Sequence, residues 1–214
     1  MIKIVDLQKK VGANRVIMNN FNIQIKRGEM VLVKGASGCG KTTLLKILAL
    51  TDAYDSGQYI YEGKLVKYTM DRANAKIRKY DIGYIPQDLN LIQDISAYEN
   101  IMLALRLQKN LYNARKNIYE LAEYLGIKDV LHTTTGLLSR GEQQRVAIAR
   151  ACVKKSKIII ADEPTASLDE ERSNKVLELF KCFKKSGKTI VLSSHDRNSF
   201  FNSMERNECQ IVKL

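Results

Sequence analysis

Gly35-Ala36-Ser37-Gly38-Cys39-Gly40-Lys41-Thr42-Thr43 decides how the rest of the chain is read. It fits G-x-x-x-x-G-K-[ST], with Gly35, Gly40, Lys41 and Thr42 in the required places. The apolar run Met30-Val31-Leu32-Val33-Lys34 leads into it, and Leu44, Leu45, Ile47 and Leu48 lead out at helical spacing. A strand, a tight loop and a helix in that register make a phosphate cradle. Glycines let successive backbone N–H groups converge on phosphate oxygens. The positive end of the following helix adds its dipole to the same site. Lys41 is then placed to reach the β- and γ-phosphates, and the Thr42 hydroxyl to ligate magnesium. A glycine-rich turn that merely precedes a helix needs neither the Lys nor the Thr. The whole stretch, Gly35 to Thr43, is therefore expected to hold a nucleoside triphosphate.

At 214 residues, with 45% hydrophobic and 27% charged, the chain is long and mixed enough to bury the core of a globular domain. No apolar stretch approaches the roughly 20 residues needed to span a bilayer. Met1-Ile2-Lys3-Ile4-Val5-Asp6 alternates like a strand and carries no signal-peptide segment, so a cytoplasmic location is expected. Cys39, Cys152, Cys182 and Cys209 have no metal-like spacing and read as reduced thiols. Cys39, inside the loop, is a chemical vulnerability. The net charge of +12 is spread over many lysine-containing segments without a compact arginine-and-aromatic stripe. That distribution favours a solvated surface, with anionic headgroups as a beneficiary, and no nucleic-acid partner is expected.

Up to about Gly28 the chain alternates apolar and polar residues with turn-like Gly12-Ala13-Asn14 and Arg27-Gly28, which predicts antiparallel strands. Gly57–Tyr61 and Lys64–Val66 extend that small sheet, and Ile82–Gln87 is a short strand followed by a break. From Asp88 to about Thr135 the pattern is helical: Ile118, Leu121, Ala122 and Leu125 share one face and Gly126 supplies a stop. A second helix starts near Gly141 and runs through Arg150. Lys157–Asp162 and Thr189–Ser193 are buried strands of the parallel type, separated by an amphipathic helix ending at Gly187. A last helix and a short strand near Cys209–Val212 close the chain. Strands alternating with helices predict an α/β fold with a mainly parallel core sheet. We expect one domain over 1–214, with 1–87 and 136–214 forming a core that carries an antiparallel β-subdomain, and 88–135 a helical insertion.

Ile158-Ile159-Ile160-Ala161-Asp162-Glu163 is an apolar strand ending in two acids. Beside an intact phosphate loop, Asp162 is the candidate magnesium ligand and Glu163 the candidate to polarise an attacking water. His195 follows a buried strand, and ligands in open parallel sheets bind at such carboxyl ends.

Taken together, Gly35–Thr43, Gln87, Leu138-Ser139-Arg140-Gly141-Glu142, Ile158–Glu163, Ser167-Leu168-Asp169 and His195 resemble the ATP-binding subunit of an ABC transporter, a P-loop NTPase, in order and spacing. Gly28-Glu29-Met30, Gly35–Gly38 and Gln143–Arg150 are most similar to the macrolide-exporter and lipoprotein-releasing branch. The resemblance implies a two-fold homodimer sandwiching two ATP with Mg2+, each ATP lying between one subunit's loop and the other's signature segment. It implies that Ser139 and Gly141 contact the γ-phosphate in trans and that Asp169 crosses the interface. Gln87 would touch magnesium or the lytic water, and His195 would hold the γ-phosphate. The chain ends without room for a membrane domain, so a separate multi-span permease is implied, with this subunit peripheral on the inner face of the cell membrane. The groove beside Gln87 would receive the permease's cytoplasmic helix. The face of Ile92, Ile95, Tyr98, Ile101 and Met102 either lines that groove or packs the helical lobe.

Ser139-Arg140-Gly141-Glu142 also fits the capping box S-x-x-E, so it starts a helix as well as offering an anion site. Two departures from the family pattern stand out. Arg140 replaces the first glycine of Leu-Ser-Gly-Gly-Gln, and Glu142 replaces its glutamine, adding negative charge that Arg140 could offset; activity is expected to be weakened but retained. Leu7 to Val16 lacks the aromatic residue that stacks on adenine, a contact of about 1–3 kcal/mol, so modest discrimination between ATP and GTP is expected. An ABC-type ATPase acting on ribosomes or DNA is the alternative that the basic charge keeps open. A small-molecule kinase is disfavoured by the signature segment and by Glu163.

Overall fold

The computed structural model describes residues 1–12, 15–67, 71–108, 111–194 and 209–214. Its centre is a five-stranded, wholly parallel sheet in the order β6 (Ile82–Ile85), β7 (Ile158–Asp162), β8 (Thr189–Ser193), β3 (Met30–Lys34), β9 (Gln210–Lys213). A four-stranded antiparallel sheet stands beside it, in the order β2 (Arg15–Ile25), β1 (Ile2–Val11), β4 (Ser56–Tyr61), β5 (Lys64–Leu65).

Side chains alternate across a strand, so each parallel strand feeds two cores. Met30, Leu32, Ile159, Ala161, Ile190 and Leu192 face a core built with α3 (Ala97–Gln108), α4 (Ala114–Tyr124), α5 (Arg140–Cys152) and α6 (Glu170–Lys185). Val31, Val33, Ile158, Ile160 and Val191 face the other way, onto α1 (Lys41–Leu48) and the antiparallel sheet. Burial on both faces is why these strands are continuous apolar runs, whereas β1 and β2 alternate.

The expected strands and their types are present. The sequence reading assigned no element to α2 (Asp71–Tyr80): Ala73, Ile77 and Tyr80 do fall at helical spacing, but they are outnumbered by the surrounding Arg, Lys and Asn. The segment before α3, up to Ser96, is irregular, with Leu89 and Asn90 both at positive φ. The expected final helix and His195 lie outside the described residues. Among the described residues no helix is long and apolar enough to cross a membrane.

Parallel strands put all their carboxyl ends on one edge. That edge carries Gly35 after β3, Pro86-Gln87 after β6, Glu163 after β7 and Ser194 after β8.

Candidate functional site

The loop after β3 closes on itself and on β2. Gly40 has φ +113, and a Cβ there would stand 2.3 Å from Ile17 Cγ2, so only glycine fits at the turn into α1. Lys41, 4% exposed, donates from Nζ to Gly35 O at 2.8 Å and Ala36 O at 3.0 Å, which lays its ammonium across the loop. Arg15 reaches over from β2 and donates to Gly38 O at 2.6 Å. No sequence signal had marked Arg15; it is the position facing Val11 in the hairpin register, in the stretch that lacks an aromatic residue.

Thr42 and Gln87 line one cavity of about 390 Å³, with Lys46, Asp52, Tyr84 and Asp88. Asp162, 1% exposed, accepts from Ser193 Oγ at 2.6 Å through Oδ1, while its Oδ2 is buried without a hydrogen-bond partner. Ser193 Oγ also accepts from the Glu163 N–H at 3.0 Å. Glu163 sits at φ +49, a left-handed conformation that a non-glycine residue adopts at a cost of about 1–3 kcal/mol. One serine hydroxyl therefore orients the first acid and pins the strained backbone of the second. Ser193 was missed in the sequence, although it is the polar end of an apolar strand and pairs with Asp162 in the register. The Tyr84 hydroxyl is likewise buried without a partner, and burial, with Asp162 and Asp88 adding their charge, pushes its pKa up.

An orphaned, buried carboxylate oxygen near a hydroxyl-bearing loop suits a hard divalent cation, which takes oxygen ligands. The donor set Thr42, Asp162 and Gln87 fits magnesium chemically, and the glycine-shaped loop fits phosphate oxygens.

Ser139 and Gly141 lie on another element, the start of α5. Ser139 is the N-cap and the capping box is complete: Ser139 Oγ accepts from Glu142 N at 3.3 Å, and Glu142 Oε2 in return accepts from Ser139 N at 2.9 Å and from Ser139 Oγ at 2.7 Å. The two bonds to Oε2 hold the Glu142 carboxyl below its usual range. Arg140 does not pair with Glu142; it donates to Gln87 O at 3.1 Å. Gly141 is a close-approach position, since a Cβ would come within 3.1 Å of Ser167 O. Two residues on, Asp169 caps α6 by accepting from Arg172 N at 2.8 Å and pairs with the Arg172 guanidinium.

The face expected beside Gln87 is divided: Ile92 is exposed and Ile95 half-buried, while the helical residues pack inward. Ile101 is fully buried, and Tyr98 and Met102 pack on the same helical core. Leu103 and Leu107 of α3 line the adjoining cavity of about 340 Å³ instead, with Ala49, Tyr84 and Arg150.

The ABC transporter family model matches residues 18–166, a span that includes the loop, Gln87, the α5 start and the two acids. An ABC transporter ATP-binding protein of Methanocaldococcus jannaschii is 38% identical over 96% of this chain and 90% of its own length. The lipoprotein-releasing system ATP-binding protein of Aquifex aeolicus is 38% identical over 88% of this chain and 85% of its own. The macrolide export ATP-binding/permease protein of Campylobacter jejuni is also 38% identical, over 92% of this chain, but the match spans only 31% of that longer protein. Among solved structures, a dimeric ATP-binding cassette in a post-hydrolysis state with ADP and phosphate superposes with TM-score 0.89 at 31% identity, over 100% of this chain and 94% of that one. With the loop and the two acids gathered on one sheet edge and these matches running nearly end to end, the chain belongs to the ABC transporter family as an ATP-binding cassette.

Proposed function

We propose that the chain is the ATP-hydrolysing motor subunit of an ABC transporter, acting as a pair of copies around two ATP molecules and driving a separate membrane permease from the inner face of the membrane. The observation that carries the site assignment is the unpartnered Asp162 Oδ2, aligned by Ser193 on the edge that also presents Lys41, Thr42 and Gln87.

The loop 35–43 would hold the phosphates, with Lys41 giving up the carbonyls of Gly35 and Ala36 for phosphate oxygens. Thr42, Asp162 and Gln87 would hold magnesium, which when bound neutralises charge on the phosphates. Glu163 would orient a water and take its proton as general base, while the strained backbone fixes where its carboxylate points. His195 would steady the γ-phosphate. Ser139 and Gly141 would complete the partner copy's site, supplying donors that neither copy has alone. The cavity lined by Leu103 and Leu107, continuous in its lining with the Gln87 cavity through Tyr84 and Thr51, is the place for a permease helix. Base selection would fall to Val11 and Arg15, an aliphatic and cationic surface that grips ATP and GTP with little difference.

The test is magnesium-dependent phosphate release by the purified chain with and without Glu163→Gln. A turnover loss of about 100-fold or more with nucleotide binding retained supports the reading. Parent-rate hydrolysis by the variant removes Glu163 as the base.

A further inference from the structure

Arg140 occupies the first position of α5, where a cation opposes the helix dipole by about 0.3–1 kcal/mol. Helix stability does not call for it, because Ser139 and Glu142 already cap that end. Its guanidinium spans instead to the carbonyl of Gln87, 53 residues earlier. At the other end of the same helix, about 15 Å along the axis, Arg150 donates to Asn90 O at 2.6 Å and Leu89 O at 2.5 Å. Between these anchors the turn is held by Leu89 N to Pro86 O at 3.0 Å and Asn90 N to Asp88 O at 2.7 Å, with Leu89 and Asn90 at φ +60 and +47. Two guanidinium groups from one helix thus grip three carbonyls, of Gln87, Leu89 and Asn90, in one short, conformationally unusual turn. Charge-assisted bonds of this kind are about twice as strong as neutral ones.

We propose that Arg140 is a positioning residue that yokes the signature end of α5 to the Gln87 turn, so that Ser139 and Gly141 move with Gln87 within one subunit. The inference rests on the roles proposed above for those residues. Arg150 fixes the far end of the helix and Arg140 the near end, leaving no slack between the turn and the serine. A glycine at this position has no side chain with which to make the contact. When the Gln87 side chain engages a ligand, the peptide it belongs to carries Arg140 along, and the partner-facing N-cap is re-aimed.

The experiment is amide hydrogen exchange on the full chain and its Arg140→Met and Arg140→Lys variants. Methionine keeps an unbranched, flexible stem and removes the donors; lysine keeps a donor. Without nucleotide, the methionine variant should exchange about 5-fold or more faster both at 88–92 and at 139–143, with lysine close to the parent. With magnesium ATP, at concentrations where light scattering shows monomers, the parent should gain protection at 35–43, at 88–92 and at 139–143. The methionine variant should gain it at the first two only. Parent-like exchange in both segments of the methionine variant, or a change confined to α5, overturns the yoke. Absence of any protection at 35–43 in the parent would count against nucleotide binding itself, while the nucleotide-free comparison still decides the yoke.

Discussion

Ser193→Ala is the perturbation whose consequence the structure defines most closely. The serine side chain is fully buried, donates to Asp162 Oδ1 at 2.6 Å and accepts from Glu163 N at 3.0 Å. Alanine removes a bond to a charged acceptor, about 1.5–3 kcal/mol, and takes the serine oxygen away from the part-buried Glu163 N–H, about 1 kcal/mol more. Some relaxation at the strained Glu163 backbone returns part of this, so about 3 kcal/mol of destabilisation is expected. In urea unfolding followed by circular dichroism that is a midpoint lower by about 1 M. Because both acids lose their alignment, turnover should also fall by about 10–100-fold, the cost of misplacing catalytic groups by around an ångström. Ser193→Thr keeps the hydroxyl and suits a strand, so it should recover most of the stability. A loss below about 1 kcal/mol in the alanine variant, or equal losses in both, would refute the view that this hydroxyl organises the acids.

Tyr84→Phe deletes a buried hydroxyl that has no partner among the described residues, so the chain alone should gain about 1 kcal/mol in urea unfolding; if the hydroxyl gains a partner when magnesium nucleotide binds, the ligand's stabilising effect should shrink in the same variant. Lys154, whose Nζ donates to Arg78 O and Ile82 O, is pushed by burial from 10.5 down to about 8. Between those values the unfolded chain holds a proton that the folded chain has released, so stability should rise with pH across that window by on the order of 3 kcal/mol, and Lys154→Met should flatten the rise in urea titrations at successive pH. Glu142→Gln keeps an acceptor for Ser139 but a weaker one, freeing the serine hydroxyl for a phosphate; turnover should increase modestly, and an unchanged or lower rate would count against Ser139 as a phosphate donor. That variant should also lose the part of its stability that disappears in the parent as pH falls through the depressed Glu142 carboxyl pKa.

The strands of both sheets were legible because burial on one face or on two leaves different periodicities, alternation in β1 and β2 and unbroken apolar runs in β3, β7 and β8. The capping box at Ser139 was legible for a similar reason, since its geometry is local to four residues. What escaped depends on contacts across long separations. Ser193 reads as the polar end of a strand until the parallel register sets it against Asp162, 31 residues earlier. Arg140 reads as a countercharge for Glu142, yet Ser139 takes that carboxylate and leaves the guanidinium to Gln87. Helix α2 has only Ala73, Ile77 and Tyr80 on its apolar side, within a run dominated by charged and polar residues, so its periodicity is short and easily read as a solvated segment.

The central claim is that two copies close face to face around bound triphosphates. Light scattering of the Glu163→Gln variant with magnesium and ATP measures it directly. The account predicts a doubling of mass that is saturable in ATP, absent with ADP, and lost when Ser139 is replaced by a bulky residue. A chain that stays monomeric at every ATP concentration while its loop binds nucleotide would contradict it.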